Sequence, residues 1–417
     1  MAENDIYNNK RRYESFVENI ETLIKKPIQG SKGIYYCKNS KNLKYFYKFV
    51  KHFEAKDLSY VRRVRVFQCL KCIVHAIEKD LASCNRDDLN LIVAFMHQKN
   101  KSSTSKRSFI RDIKAIWRVL FPELDERGRI DETLIPYAVR HLSARVDKSK
   151  EKMRNEKYTI EEFEKIIQHF DNDPKMQAFL TAVHETYTRP QELLYLKLRN
   201  FEFFDNYGLA SVSEHGKEGT KIIQFENLSY PYILKWYKSH PLKKNLDSFF
   251  FLVEANNGKY KQLTPDAINH KLRTACKELN IDKKITCYSL KRMGITIDRM
   301  NGVPDKIIIA KAGWANGKQL ATYDLGTRNE ALRRSLIQKG LVQPKDENEK
   351  KFLPQQKICS FCNQVNGYTD ELCNGCHRPL NREKIQKIVN EQELLTQNAL
   401  IQRLALLEIE IKNLKKS

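Results

Sequence analysis

The sequence predicts a multi-domain, mainly helical protein: a helical N-terminal domain, an α+β domain with one small sheet, a compact four-cysteine module and a C-terminal helix. Three observations predict it. The 417 residues exceed what one ordinary core accommodates. Apolar residues recur at helical spacing along most of the chain, and strand-like runs are confined to about 209–213, 221–225 and 249–252. Two almost wholly polar stretches, 146–157 and 343–357, interrupt the pattern where linkers belong.

The first domain, residues 1–145, reads as helices with scarcely a strand. Phe46, Phe49, Val50 and Phe53 keep helical spacing, as do Val66, Leu70, Ile73 and Ile77, then Ile110, Ile113, Trp117 and Leu120. Asn85-Arg86-Asp87-Asp88 offers a helix cap. A further amphipathic stretch follows Ser102 to Ser105, and its polar face carries Lys106, Arg107, Arg111 and Lys114. Such a face is usually only solvated. Here 74 Lys plus Arg stand against 51 Asp plus Glu, a formal net charge of +23, so these four residues are expected to meet a DNA backbone. No run approaches the roughly 18 apolar residues of a membrane span. The N-terminus lacks an apolar signal core, and a soluble cytoplasmic protein is expected.

The second domain, 158–342, opens with Thr159 three residues before Glu162, a capping-box pattern ahead of IEEFEKIIQHF. LASVS and KIIQF read as two short strands joined by a hairpin through His215-Gly216-Lys217-Glu218-Gly219-Thr220. Of ten cysteines, Cys359, Cys362, Cys373 and Cys376 form two C-x-x-C pairs ten residues apart. In a long chain with no secretory signal this is a metal pattern, a zinc ribbon over 358–382 with four thiolates closing a structural Zn²⁺ site. Gly367 and Gly375 suit its tight backbone. The basic neighbours Lys357, Arg378, Arg382 and Lys384 leave DNA and protein both open as its contact. Cys69 and Cys72 sit in a helical pattern and read as buried thiols; Cys37, Cys84, Cys276 and Cys287 are assigned no chemistry. From 383 the chain reads as helix. Leu400, Leu404, Leu407, Ile411 and Leu414 form a seam of barely two heptads, a helix that docks on a partner or on its own chain.

The residues that suggest chemistry are scattered but ordered. His184-Glu185-Thr186-Tyr187-Thr188-Arg189-Pro190-Gln191-Glu192 places an arginine after a turn and an acid three residues on, where Glu192 can brace the guanidinium. Cys287-Tyr288-Ser289-Leu290-Lys291-Arg292 begins a helix, Trp314 follows Lys291 by 23 positions, and Tyr323 follows Trp314 by nine. Alone, each element is an ordinary surface pair or core residue. As an ordered set they resemble the active site of a tyrosine recombinase.

That resemblance implies a fold, an activity and roles. The N-terminal domain would be the core-binding half of a clamp around DNA, and the second the catalytic domain. Tyr323 would cleave one strand and hold it as a 3′-phosphotyrosine, with neither metal nor nucleotide needed for the chemistry. Arg189 would stabilise the charge growing on the phosphate, supported by Glu192. Lys217, at the hairpin tip, would protonate the leaving oxygen, with Lys221 as its competitor. Trp314 would pack beside the nucleophile. Tyr288 stands where the family usually has histidine. Lys291 replaces the second arginine, and lysine cannot clamp two oxygens, so Arg292 is an alternative donor. With Tyr230 to Trp236, His240-Pro241-Leu242 and a terminal zinc module, the chain looks most like archaeal integrases of mobile elements. Homotetramers on paired double-stranded DNA attachment sites, in the nucleoid, are implied. Two other functions remain open: a recombinase-derived DNA-binding protein with weakened or lost cleavage, and a zinc-ribbon transcription-associated factor.

Overall fold

The computed structural model describes residues 8–26, 35–99, 102–143, 155–212, 220–255 and 258–381, with 386, 397 and 400–404 in the tail. The chain divides into two compact units, Met1–Met153 and Arg154–Ser417. No helix among the described residues is long and apolar enough to cross a membrane.

In the first unit, α1 (Asn9–Glu18), α2 (Leu43–Ala55), α3 (Tyr60–Ala76), α4 (Arg86–Lys99), α5 (Ser103–Leu120) and the short α6 (Tyr137–Arg140) surround one core. A two-residue hairpin, β1 (Glu123–Leu124) with β2 (Ile130–Asp131), closes it. The apolar periodicity supplies that core: Phe46, Phe53, Phe67, Leu70, Ile73 and Ile113 are fully buried. Asn85 caps α4 by accepting from Asp87 and Asp88 backbone N–H at 3.0 Å. Buried Asp112 on α5 draws in Arg62 and Arg65 of α3 at 2.9 and 2.8 Å, pinning the two helices together. Cys69 is buried and Cys72 half-buried; burial pushes both thiols up, Cys72 to about 11, which suits inert packing groups.

The second unit is built on α8 (Pro174–Thr186), a helix buried almost all round, packed by α7 (Ile160–His169), α10 (Tyr230–Ser239) and α12 (Cys287–Asn301). Thr159 and Glu162 make the reciprocal capping box of α7. A three-stranded antiparallel sheet runs β3 (Phe201–Phe203), β4 (Gly208–Val212), β5 (Lys221–Phe225), with Ala210 opposite both Phe201 and Ile223. The strand β3 has no counterpart in the sequence reading. The expected strand at 249–252 begins only at Leu252, where β6 (Leu252–Glu254) pairs with β7 (Tyr260–Gln262). Phe250 and Phe251 are instead driven wholly into the core, Phe250 stacking on Phe201 at 3.9 Å. The remaining elements are α9 (Pro190–Leu194), α11 (Pro265–Glu278), α13 (Asp305–Ala312), α14 (Leu320–Tyr323), α15 (Arg328–Gln338) and the hairpin β8 (Lys357–Ile358) with β9 (Val365–Asn366).

Gly294 is what lets α12 close on α8. A Cβ there would lie 1.9 Å from the His184 carbonyl oxygen. Alanine would gain about 1 kcal/mol of helix propensity, less than the cost of forcing two packed backbones apart. Gly294→Ala is therefore expected to lower unfolding stability by about 2 kcal/mol net in denaturant titration. An unchanged midpoint would show that α12 can shift freely.

Both polar stretches expected to be linkers carry bonded residues. In the first, Asn155, Glu156 and Lys157 are tied to the second unit. In the second, Asn348 accepts from Ile160 N–H at 3.0 Å, and Phe352 exchanges backbone bonds with the Asn301 amide at 2.8 and 3.1 Å. These described residues are bonded to neighbouring elements; 146–154 lie outside the described residues. Leu400 and Leu404 are helical and exposed; Leu407, Ile411 and Leu414 lie outside the described residues.

Candidate active site and cysteine cluster

The first wall of the site is the turn after α8. Tyr187 takes the left-handed conformation, φ 53°, unfavourable for a bulky residue. It is held there by complete burial of its ring and by a hydrogen bond from its hydroxyl to Asp298 of α12. The reversal sets Arg189 immediately before α9, with Pro190 at the first helical position. Glu192, one turn on, accepts from the Arg189 backbone N–H and from its Nη1, both at 3.2 Å. Lys221, the first residue of β5, places Nζ 2.8 Å from the same carboxylate. All three side chains are below one-tenth exposed, at 7%, 3% and 9% for Arg189, Glu192 and Lys221. Burial opposes ionisation of Glu192, yet Lys221 and Arg189 more than offset it and hold its carboxyl below the ordinary range. Two cations braced by one anion leave a positive, preorganised surface for a further anion.

The second wall is the start of α12, capped by Thr286 and Ser289. Tyr288, Lys291 and Arg292 stand three and four residues apart and share one face of the helix. The Tyr288 hydroxyl donates to Gln191 at 3.0 Å, and burial raises its pKa. Lys291 is wholly buried, with Nζ 5.0 Å from the Tyr323 ring centre and 5.3 Å from that of Trp314. Arg292 holds its guanidinium carbon 5.9 Å from the same tyrosine ring and is ion-paired to Glu156.

The third wall carries the aromatic pair. Gly313, at φ 70°, ends α13 and lets the chain turn back so that Trp314 is buried. Its ring lies 5.1 Å from that of Tyr323, tilted 44°. Tyr323 is the last residue of α14 and half-buried.

The fold thus gathers Arg189, Glu192, Tyr288, Lys291, Arg292, Trp314 and Tyr323, drawn from four helices and their flanking turns. Lys217 lies outside the described residues, whereas its competitor Lys221 is part of the site. Lys106, Arg107, Arg111 and Lys114 lie on α5 of the first unit; the two arginines are exposed, the two lysines half-buried. Sequence reasoning missed Gln191, Tyr187, Asp298 and Glu156. Gln191 alone had a signal, since it shares a turn with Arg189 and Glu192. His184, beside the arginine turn, is no proton carrier: burial and nearby Lys311 lower its pKa to about 3, and it stacks on Phe163 at 4.4 Å.

The four cysteines of the terminal module converge, their sulfurs all within 4.8 Å of one another. Cys359 to Cys376 is 3.6 Å and Cys362 to Cys373 is 3.5 Å. Four thiolates about 2.3 Å from one metal at tetrahedral angles would stand roughly 3.8 Å apart, so the cluster fits. The backbone reason differs from the expected one. Left-handed residues follow each pair, Asn363 at φ 56° and His377 at φ 58°, while neither Gly367 nor Gly375 has positive φ. Gly367 is needed for contact, because a Cβ there would lie 2.2 Å from the Tyr232 ring of α10. Tyr232 and Thr369 hydroxyls meet at 2.6 Å, and Lys238 donates to Gln364 at 2.7 Å, so the module is docked on α10.

The family model for the phage integrase family matches residues 157–328. Residues 157–328 thus carry a phage integrase family domain. Among solved structures, the likeness extends to the XerH site-specific recombinase bound to palindromic difH substrate, at 11% identity over 81% of this chain and 98% of that one, TM-score 0.54. A lambda integrase dimer bound to a COC′ core site matches at 14% identity over 67% and 76%, TM-score 0.51. The Tn1549 transposon integrase with transposon right-end DNA matches at 12% over 70% and 98%, TM-score 0.50. At these identities the likeness is one of fold. No curated protein matches the chain.

Proposed function

We propose that this chain is a tyrosine recombinase that cleaves and rejoins DNA through Tyr323. Its oxygen attacks the scissile phosphorus, a 3′-phosphotyrosine bond forms, and the bond to the 5′-oxygen breaks. The tyrosine proton is released, and the departing oxygen takes a proton from a lysine; Lys221, already inside the site, is favoured over Lys217. Rejoining is the reverse attack by the 5′-hydroxyl of an incoming strand. Arg189 binds the phosphate oxygens through its fork, Lys291 and Arg292 supply the second cationic contact, and Trp314 fixes the nucleophile's ring. Tyrosine, with an ordinary pKa near 10, is a weak nucleophile at neutral pH unless positive charge lies beside it. The observation that carries this reading is the pair of α12 cations at 5.0 and 5.9 Å from the Tyr323 ring.

The likeness to recombinases whose structures hold DNA, and the charge of +23, support double-stranded DNA as partner, met in the cytoplasm, with the α5 basic face on its backbone. Tetramers on paired attachment sites, and an archaeal mobile element as source, belong to the same reading. Cys359, Cys362, Cys373 and Cys376 would hold Zn²⁺, which braces the module on α10 and takes no part in strand transfer.

The test is incubation of the full chain with a nicked suicide substrate from its attachment site. A covalent adduct is expected. Loss of one charge-stabilising donor typically costs about a hundredfold or more. Lys291→Ala with Arg292→Ala should therefore abolish measurable adduct while DNA is still bound. Adduct formation insensitive to that double change would show that the second cationic contact lies elsewhere. Stable DNA binding with no adduct on any substrate would favour the derived binder, the reading to which the unforked, fully buried Lys291 points.

A further inference from the structure

Arg292 does not stand alone. Its guanidinium is paired to Glu156, a carboxylate only 5% exposed, whose second oxygen accepts from Ser289 Oγ at 3.0 Å. Ser289 and Arg292 lie on the first turns of α12, and Glu156 reaches them from 133 and 136 residues away in sequence. Its neighbours are fastened as well. Asn155 accepts from Lys284 N–H at 2.6 Å and donates to the Asp282 carbonyl at 2.7 Å, in the loop before α12. Lys157 pairs at 2.5 Å with Glu330, whose carboxylate caps α15, the helix that follows the nucleophile. Tyr158 is then buried and stacked on Phe163 at 5.6 Å. Three consecutive residues therefore strap the entrance of the second unit to the elements on both sides of Tyr323.

Arginine is long, and an unanchored guanidinium samples many rotamers. Ordering it before the phosphate arrives removes that cost from the reaction. Glu156 is placed to order it, since one oxygen locates the carboxylate on Ser289 and the other turns Arg292 toward the tyrosine ring, 5.9 Å from its centre. We infer that Glu156 is the positioning residue of Arg292, and that the segment entering the catalytic unit thereby sets the second cationic contact of the site. This rests on the functional reading above, in which Arg292 meets the scissile phosphate.

A double-substitution cycle in the full chain tests it, read as single-turnover adduct formation at saturating suicide DNA, with DNA affinity measured in parallel. Glu156→Gln keeps the shape and the Ser289 bond but loses the charge that holds Arg292. It is expected to slow adduct formation about tenfold with affinity unchanged, while Arg292→Ala slows it about a hundredfold. The two together should be no slower than Arg292→Ala alone, because groups acting as one unit are not additive. If Glu156→Gln fails to fold, Glu156→Asp replaces it; the retained charge should recover a rate between those of Arg292→Ala and the unaltered chain. Equal slowing by the Glu156 change in the presence and absence of Arg292 would overturn the inference, as would no slowing at all. An unaltered chain that forms no Tyr323 adduct would sink the functional reading itself, and the inference with it.

Discussion

Tyr323→Phe is expected to eliminate the covalent protein–DNA adduct while leaving DNA affinity within about twofold of the unaltered chain, since affinity comes chiefly from phosphate contacts. The change removes one hydroxyl and keeps the ring. Its packing on Trp314 at 5.1 Å and its place over Lys291 at 5.0 Å should both survive. Among the described residues, the neighbouring phenols Tyr187 and Tyr288 are not placed to substitute. Tyr187 spends its hydroxyl on Asp298 and is buried, which raises its pKa well above the ordinary value. Tyr288 donates to Gln191, and burial raises its pKa too. With neither of these phenols available the loss should be at least about 10⁴-fold, beyond what removal of a single charge-stabilising donor does. Gel detection of a denaturation-resistant adduct measures it. An adduct that persists in the phenylalanine variant would assign the nucleophile elsewhere.

The second large effect is metal removal. Structural Zn²⁺ in small modules contributes on the order of 10 kcal/mol of apparent binding free energy, more than a two-stranded hairpin of two residues each could supply. Chelation is expected to unfold the segment from about 357 to 381, with one metal released per chain. The core around α8 should persist, because Phe179, Leu180 and Val183 are wholly buried within the second unit. The docking face should loosen with the module. Tyr232, fixed by the Thr369 hydroxyl and covered by Gly367, would be uncovered, and Gly367→Ala should mimic that loss without touching a thiolate. Hydrogen exchange across 230–239 and 357–381 reads both. Unchanged protection after chelation, in protein verified to be metal-free, would show that the module folds without metal.

Much of the site is legible in the sequence because its parts are local. Arg189 with Glu192, the Thr159 and Glu162 box, and Tyr288 with Lys291 and Arg292 are each set three or four residues apart, the spacing at which a helix brings side chains together. The two C-x-x-C pairs are legible likewise, since a short turn presents both thiolates whatever surrounds it. The apolar periodicity of α2, α3 and α5 marks out a core for the same reason.

Other features depend on partners far away in the chain, and no periodicity carries them. Glu156 sits in a run so charged that it reads as solvated, yet it is buried against Arg292. Lys221 looks like any lysine opening a strand until Glu192 is folded beside it. Gly367 reads as a turn residue; its purpose is the close approach of Tyr232. Phe249 to Phe251 looks like strand, but burial of Phe250 and Phe251 overrides the pattern, and β3 forms because β4 offers it an edge. By itself, then, the sequence determined the helices, the chemical types at the site and the metal-binding pattern, which follow from bonds and contacts between near neighbours. The tertiary structure alone set Lys221 beside Glu192, chose the carboxylate that holds Arg292 and fixed where the cysteine module docks. Those choices are made by burial, where a charge or a missing Cβ matters only once another segment of chain has excluded water around it.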